Sequence, residues 1–130
     1  PWDRLLSGYM YLKHNETGDL HGVKKFENFN DWVASINPNK PLDTHKYILL
    51  PQIEYIINHK REIVMDFVGR FENLQQDFEK VKHKIKHYQA ILPIKNSTKH
   101  KPYQEYYNDY SKNLVETIFV EDIKKWGYKF

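Results

Sequence analysis

The stretch MDFVGRFENLQQDFEKV, residues 65–81, constrains the fold of this 130-residue chain more than any other. Its approach, EIVMDFV, is almost continuously apolar and rich in β-branched residues, the composition of a strand covered on both faces. Gly69 then breaks the run. Asn73, with Gln76 three places on, has the pattern of an N-cap and capping box, in which side-chain oxygens satisfy the orphan N–H groups of a helix start. Behind it Leu74, Phe78, Val81, Ile85 and Tyr88 recur at steps of four and three, one apolar stripe of a helix. Buried strand, short turn and amphipathic helix together predict an α/β unit.

The length suits one domain with a single core. Ten Tyr, seven Phe and three Trp in a 40% hydrophobic chain argue for a folded protein rather than a disordered one. Twenty Lys and Arg against seventeen Asp and Glu leave a formal charge of +3. Most of these charges alternate in sign along predicted helices, so they read as solvated faces, and the balance is less one-sided than that of a dedicated nucleic-acid binder. No apolar run approaches the roughly 20 residues of a membrane helix. The absence of cysteine excludes disulfide and thiolate chemistry and favours a reducing compartment, so the expected location is cytoplasmic. The chain starts at Pro1 without an initiator Met, which suggests a processed protein or a fragment.

Residues Pro1 to Leu12 read as a helix with Trp2, Leu5, Leu6 and Tyr9 as its apolar stripe and Pro1 where a missing N–H costs nothing. Arg4, Ser7 and Tyr11 fall on the opposite face, which spacing alone makes a wet surface. Asn30 is expected to cap a short helix carrying Phe29, Trp32, Val33 and Ile36, stopped by the turn at residues 37–41. Strands are expected near Ile53–Ile57 and Ile63–Val68, joined by a hairpin turn at Asn58-His59-Lys60-Arg61, with Pro51 barred from a central ladder. His83 and His87, four apart with Glu79 four before, have a zinc-compatible spacing. They project away from the apolar stripe without a further ligand cluster, so no metal is expected. Lys95, Lys99, His100 and Lys101 stand among hydroxyl and amide residues without period, an anion-binding loop or a solvated basic one. Asn113 to Trp126 is a closing helix, with Asn113 and Glu116 as its capping box and Gly127 as its stop.

Three stretches, in order, resemble the sulfotransferase family, and the carbohydrate sulfotransferases most. PWDRLLSGY is similar to the family's 3′-phosphate-binding motif, Arg-Asn-Pro-x-Asp-Arg-x-x-Ser-x-Tyr, through Pro1, Asp3, Arg4, Ser7 and Tyr9; the motif's first Arg falls upstream of Pro1. GRFENL followed by Asp77 and Phe78 matches the strand-to-helix junction of the carbohydrate members. The pattern "LP..N.S…Y..YY" before a last helix, and GYKF at the end, complete the likeness. Pro51-Gln52 with Tyr55-Ile56 resembles the "PQ..YI" of these enzymes, but Ile48 stands where relatives commonly carry a His, and His45 is the nearest imidazole.

The resemblance implies the C-terminal, helix-rich portion of a three-layer α/β fold related to the P-loop kinases, with residues 1–130 a single partial domain. It implies transfer of a sulfuryl group from 3′-phosphoadenosine 5′-phosphosulfate to an acceptor hydroxyl, often on a saccharide. Ser7, Arg4, Lys99, His100 and Lys101 become candidates for holding the 3′-phosphate, and Phe71 for packing on the adenine. The phosphosulfate loop and the usual catalytic base would lie upstream, so the chain alone is expected to be inactive and its catalytic residues are unknown. An incomplete sheet would leave an exposed edge through which copies could pair. The rival reading is a non-catalytic helical interaction module for a protein or nucleic-acid partner.

Overall fold

The computed structural model describes residues 1–14, 22–40, 47–93 and 101–130. It divides into two compact units, Pro1–Tyr55 with His100–Phe130, and Ile56–Lys99.

The first unit is helical and holds the apolar core. Helix α1 (Trp2–His14) carries Asp3 in its first turn and Lys13 and His14 in its last, complementing the helix dipole at both ends. The stripe read from the sequence is the buried one: Trp2, Leu5, Leu6 and Tyr9. They meet Phe29, Trp32, Val33 and Ile36, together with Leu114, Val115 and Phe119 from the end of the chain. Burying large apolar side chains of this kind contributes about 1.5–3 kcal/mol each. Gly8 lets residues 47–50 approach α1, since a Cβ there would stand 3.1 Å from Cγ2 of Ile48.

Polar side chains fix the ends of the remaining helices. Helix α2 (Phe29–Ala34) is capped by Asn28, whose side chain accepts from the Asp31 N–H, rather than by Asn30. Asn30 instead bridges to the C-terminal part. Its Nδ2 donates to the Tyr106 carbonyl at 2.9 Å, and its Oδ1 accepts from Ser111 Oγ at 2.6 Å and from the Asn108 N–H at 3.1 Å. The closing helix expected from Asn113 to Trp126 is two helices, named below in chain order after α3. The first starts earlier, at Asp109, where Asn108 and Ser111 form the capping box in place of Asn113 and Glu116. The chain breaks at Phe119 and ends the second helix at Gly127, whose φ of 66° is the left-handed stop that glycine supplies.

The second unit contains the hairpin turn, but not the strands. Asn58 organises the turn: its carbonyl accepts from the Arg61 N–H at 2.9 Å, and its Oδ1 accepts from Lys60 and Glu62 N–H groups at 2.9 and 3.0 Å. One antiparallel bridge, Ile57 to Ile63, follows. Beyond it the chain leaves extended pairing. Helix α3 (Leu74–Lys84) comes after a 3₁₀ turn at Phe71–Asn73, and the Asn73 side chain makes no cap bond, so the Asn73–Gln76 capping box is absent.

The α/β expectation, and with it the sulfotransferase-type three-layer fold, is therefore overturned. The described residues are 58% helical with 2% in strand and no sheet. Residues Gln52–Tyr55 form a 3₁₀ turn where the first strand was expected. In the second, Val64, Met65 and Phe67 are 55%, 46% and 41% exposed. A strand buried on both faces needs paired neighbours and covering layers, and a lone hairpin is marginal in water. Among the described residues nothing supplies either, so the expected sheet edge for pairing between copies has no counterpart there. No helix of the described residues is long and apolar enough to cross a membrane. The two closing helices are α4 (Asp109–Ile118) and α5 (Val120–Trp126).

Candidate functional site

In the second unit, the turn from Phe67 into α3 borders an open, shallow cavity of about 380 Å³. Its lining comes from both sides of the turn, with Phe67, Gly69, Arg70 and Phe71 before the helix and Leu74, Phe78 and Val81 on it. The size lies within the range of small-ligand pockets, about 300–1,000 Å³, and the lining is mainly apolar and aromatic, as in most such sites. Phe71, the candidate adenine contact, is 75% exposed rather than a core residue.

Asp77 holds this turn. It is the only buried residue among the described residues of the unit, 8% exposed. Its Oδ2 accepts from the Arg70 N–H at 2.9 Å, and its Oδ1 accepts from Lys80 Nζ at 2.7 Å. These two bonds hold the carboxyl below the usual carboxylate range, that from Lys80 contributing most, against the opposing effect of desolvation. Gly69 permits the close approach: a Cβ there would stand 3.3 Å from the Asp77 Cβ and 3.4 Å from Phe67 Cε1.

In the first unit, Arg4 and Ser7 lie one turn apart on α1, and Ser7 is exposed. The Arg4 guanidinium turns toward its own chain. Nη1 donates to the Leu50 carbonyl at 3.1 Å and Nη2 to the Tyr47 carbonyl at 3.2 Å, while the group lies 5.7 Å from the Phe119 ring centroid. Burial lowers its pKa, a shift opposed by the charge of Asp122, but an arginine stays protonated throughout the ordinary pH range. Arg4 thus fixes residues 47–50 against α1. Lys101 pairs with Glu105 at 3.3 Å in an exposed ion pair. It leads into the 3₁₀ turn Tyr103–Tyr106, which packs against α1. Tyr107 ties the same junction, its hydroxyl donating to the Trp2 carbonyl at 2.9 Å, and burial raises its pKa far above that of a free phenol. Lys99, His100 and His45 lie outside the described residues.

Two carboxylates escaped the sequence reading. Asp77 sits within the motif, but only the folded turn reveals its two donors. Asp122 is fully buried and accepts from the Gln52 and Ile53 N–H groups at 2.7 and 2.9 Å, capping the 3₁₀ turn Gln52–Tyr55. Its signal was available: it follows Phe119 by three and precedes Trp126 by four, a charged residue on the inward stripe of its helix. His83, of the considered zinc pair, packs edge-on against Tyr88 with ring centroids 5.4 Å apart. Among the described residues no group of three or more His, Cys, Asp or Glu could hold a metal ion. Comparison with protein-family models, with curated proteins and with solved structures finds no match to this chain.

Proposed function

We propose that this chain carries the donor-recognition part of a sulfotransferase that moves a sulfuryl group from 3′-phosphoadenosine 5′-phosphosulfate to an acceptor hydroxyl on a carbohydrate. The observation that carries the reading is the cavity at Phe67–Val81. The residues that resemble the family's adenine-side junction line it together, with an exposed aromatic ring at Phe71. In the reaction, the acceptor oxygen bonds to sulfur as the bond from sulfur to the 5′-phosphate oxygen breaks, and adenosine 3′,5′-bisphosphate leaves. The acceptor proton goes to a base that we do not assign to this chain. The residues here bind and orient: the Phe71 face receives the purine, a stacking contact worth about 1–3 kcal/mol per base in comparable sites. On the sequence resemblance alone, Ser7 and Lys101 of the helical unit are the residues proposed for the 3′-phosphate. The lack of cysteine agrees with a cytoplasmic setting.

Hydrogen bonds to a charged group are worth about 1.5–3 kcal/mol. Ser7→Ala and Lys101→Ala should therefore each weaken adenosine 3′,5′-bisphosphate by roughly tenfold or more in calorimetric titration of the full chain. Adenosine 5′-phosphate, which lacks the 3′ group, should lose far less. Equal losses for the two nucleotides, or none, would refute the assignment.

A second reading, a helical interaction module, is favoured by one observation: Met65, Phe67, Phe71 and Leu74 expose 41% to 75% of their surface within one unit. The two readings separate on nucleotide titration, since an interaction module gives no saturable binding of the bisphosphate.

A further inference from the structure

We infer that Asp77 is a positioning residue for the purine side of the cavity, an inference that rests on the donor-binding reading above. Three observations carry it. The residue before Phe71 is anchored on both sides of its backbone: the Arg70 N–H donates to Asp77 Oδ2 at 2.9 Å, and the Arg70 carbonyl accepts from the Asn73 N–H at 3.1 Å within the 3₁₀ turn. The other carboxylate oxygen is fixed by Lys80 at 2.7 Å, so the acceptor cannot swing away without breaking an ion pair. Asp77 is also the only buried residue among the described residues of its unit, whereas the ring it serves is 75% exposed. A ring that is 75% exposed has little packing of its own to hold it. Its position follows the backbone of the 3₁₀ turn Phe71–Asn73, and the carboxylate supplies the side-chain anchor at the start of that turn. Gly69 belongs to the same device, because a Cβ there would stand 3.3 Å from the Asp77 Cβ and 3.4 Å from Phe67 Cε1.

A general structural role and a positioning role differ in what they do to ligand selectivity. The quantity to measure is the ratio of affinities for adenosine 3′,5′-bisphosphate and for the same ribose bisphosphate without a base, in the full chain. Asp77→Ala should bring that ratio at least tenfold closer to unity. Asp77→Asn, which keeps an oxygen for the Arg70 N–H, should hold the ratio within about threefold of the parent. Amide NMR signals from α3 (Leu74–Lys84) report whether the unit that carries Asp77 remains folded, and emission from the buried Trp2 and Trp32 reports the same for the helical unit. If Asp77→Ala does not fold, Gly69→Ala disturbs the same contact from the other side and should shift the ratio in the same direction. The inference is overturned if Phe71→Ala collapses the ratio while Asp77→Ala or Gly69→Ala leaves it intact, an outcome under which the donor-binding reading survives. It is also overturned if Asp77→Ala weakens both ligands equally. If Phe71→Ala itself leaves the ratio unchanged, the cavity does not receive the base, and both readings fall.

Discussion

Removing the Asp122 carboxylate should unfold the helical unit more readily than any surface change. Asp122 is fully buried and accepts two backbone N–H groups, from Gln52 at 2.7 Å and Ile53 at 2.9 Å. In Asp122→Ala both donors lose their acceptor, and Arg4, already desolvated, loses a stabilising charge. Each bond to an ionised acceptor is worth about 1.5–3 kcal/mol, and breaking a buried charged pairing costs about 3–5 kcal/mol, so we take about 3–5 kcal/mol for the whole change. For a unit of this size one kcal/mol moves Tm by about 4–8 °C. The expected loss is therefore at least about 12 °C, followed by the emission of the buried Trp2 and Trp32 on heating. Asp122→Asn keeps one oxygen and should lose roughly half as much, because one of two acceptors survives. A loss below about 4 °C for Asp122→Ala would refute the view that this carboxylate holds Gln52–Tyr55 in place.

Three smaller tests follow from other sites. Phe71→Leu should weaken adenosine 3′,5′-bisphosphate by about tenfold at unchanged Tm, since the ring is exposed and carries little packing; unchanged calorimetric affinity would remove the ring from donor binding. Gly127→Ala should cost about 1–2 kcal/mol in urea unfolding, because the φ of 66° is unfavourable for a residue with a Cβ, although nothing stands within 4 Å of that Cβ. Asp77 has a depressed pKa in the folded state, so its stabilisation is present above the ordinary carboxylate value and is lost as pH falls through the lower folded value. The Arg70 amide proton, followed by NMR between neutral and strongly acidic pH, should shift only at that acidic end; a shift centred near neutrality would contradict the assignment.

Local periodicity made the first unit legible. The stripe of α1 and the apolar positions of α2 are buried as their spacing predicts, because a helix satisfies its own backbone and needs a partner for one face only. Helix ends were harder to read. Asn28 and Asn108 cap in place of Asn30 and Asn113, and both unused candidates are also asparagines. Asn30 is drawn instead to Tyr106, Asn108 and Ser111, partners more than seventy residues away that no local rule identifies. The candidate site was legible to the same degree. The motif named the segment that lines the cavity, but not the carboxylate that shapes it.

The failed strands have the same origin as that missed carboxylate. EIVMDFV has the composition of a buried strand, but composition records a preference for burial, not the presence of anything to be buried against. A helix can form from its own residues, whereas a sheet exists only when a second and third strand arrive. Where those neighbours are missing from the described residues, the apolar side chains Val64, Met65 and Phe67 remain largely exposed. The unit is then organised by its polar groups: Asn58 gathers the hairpin turn, and Asp77 ties Arg70 to α3. Those bonds are short-range and directional, so they fix the shape of a turn without enclosing a core. That is why this unit offers a shaped cavity with an exposed aromatic rim, and why its geometry should answer to one carboxylate more than to the apolar pattern that first marks it in the sequence.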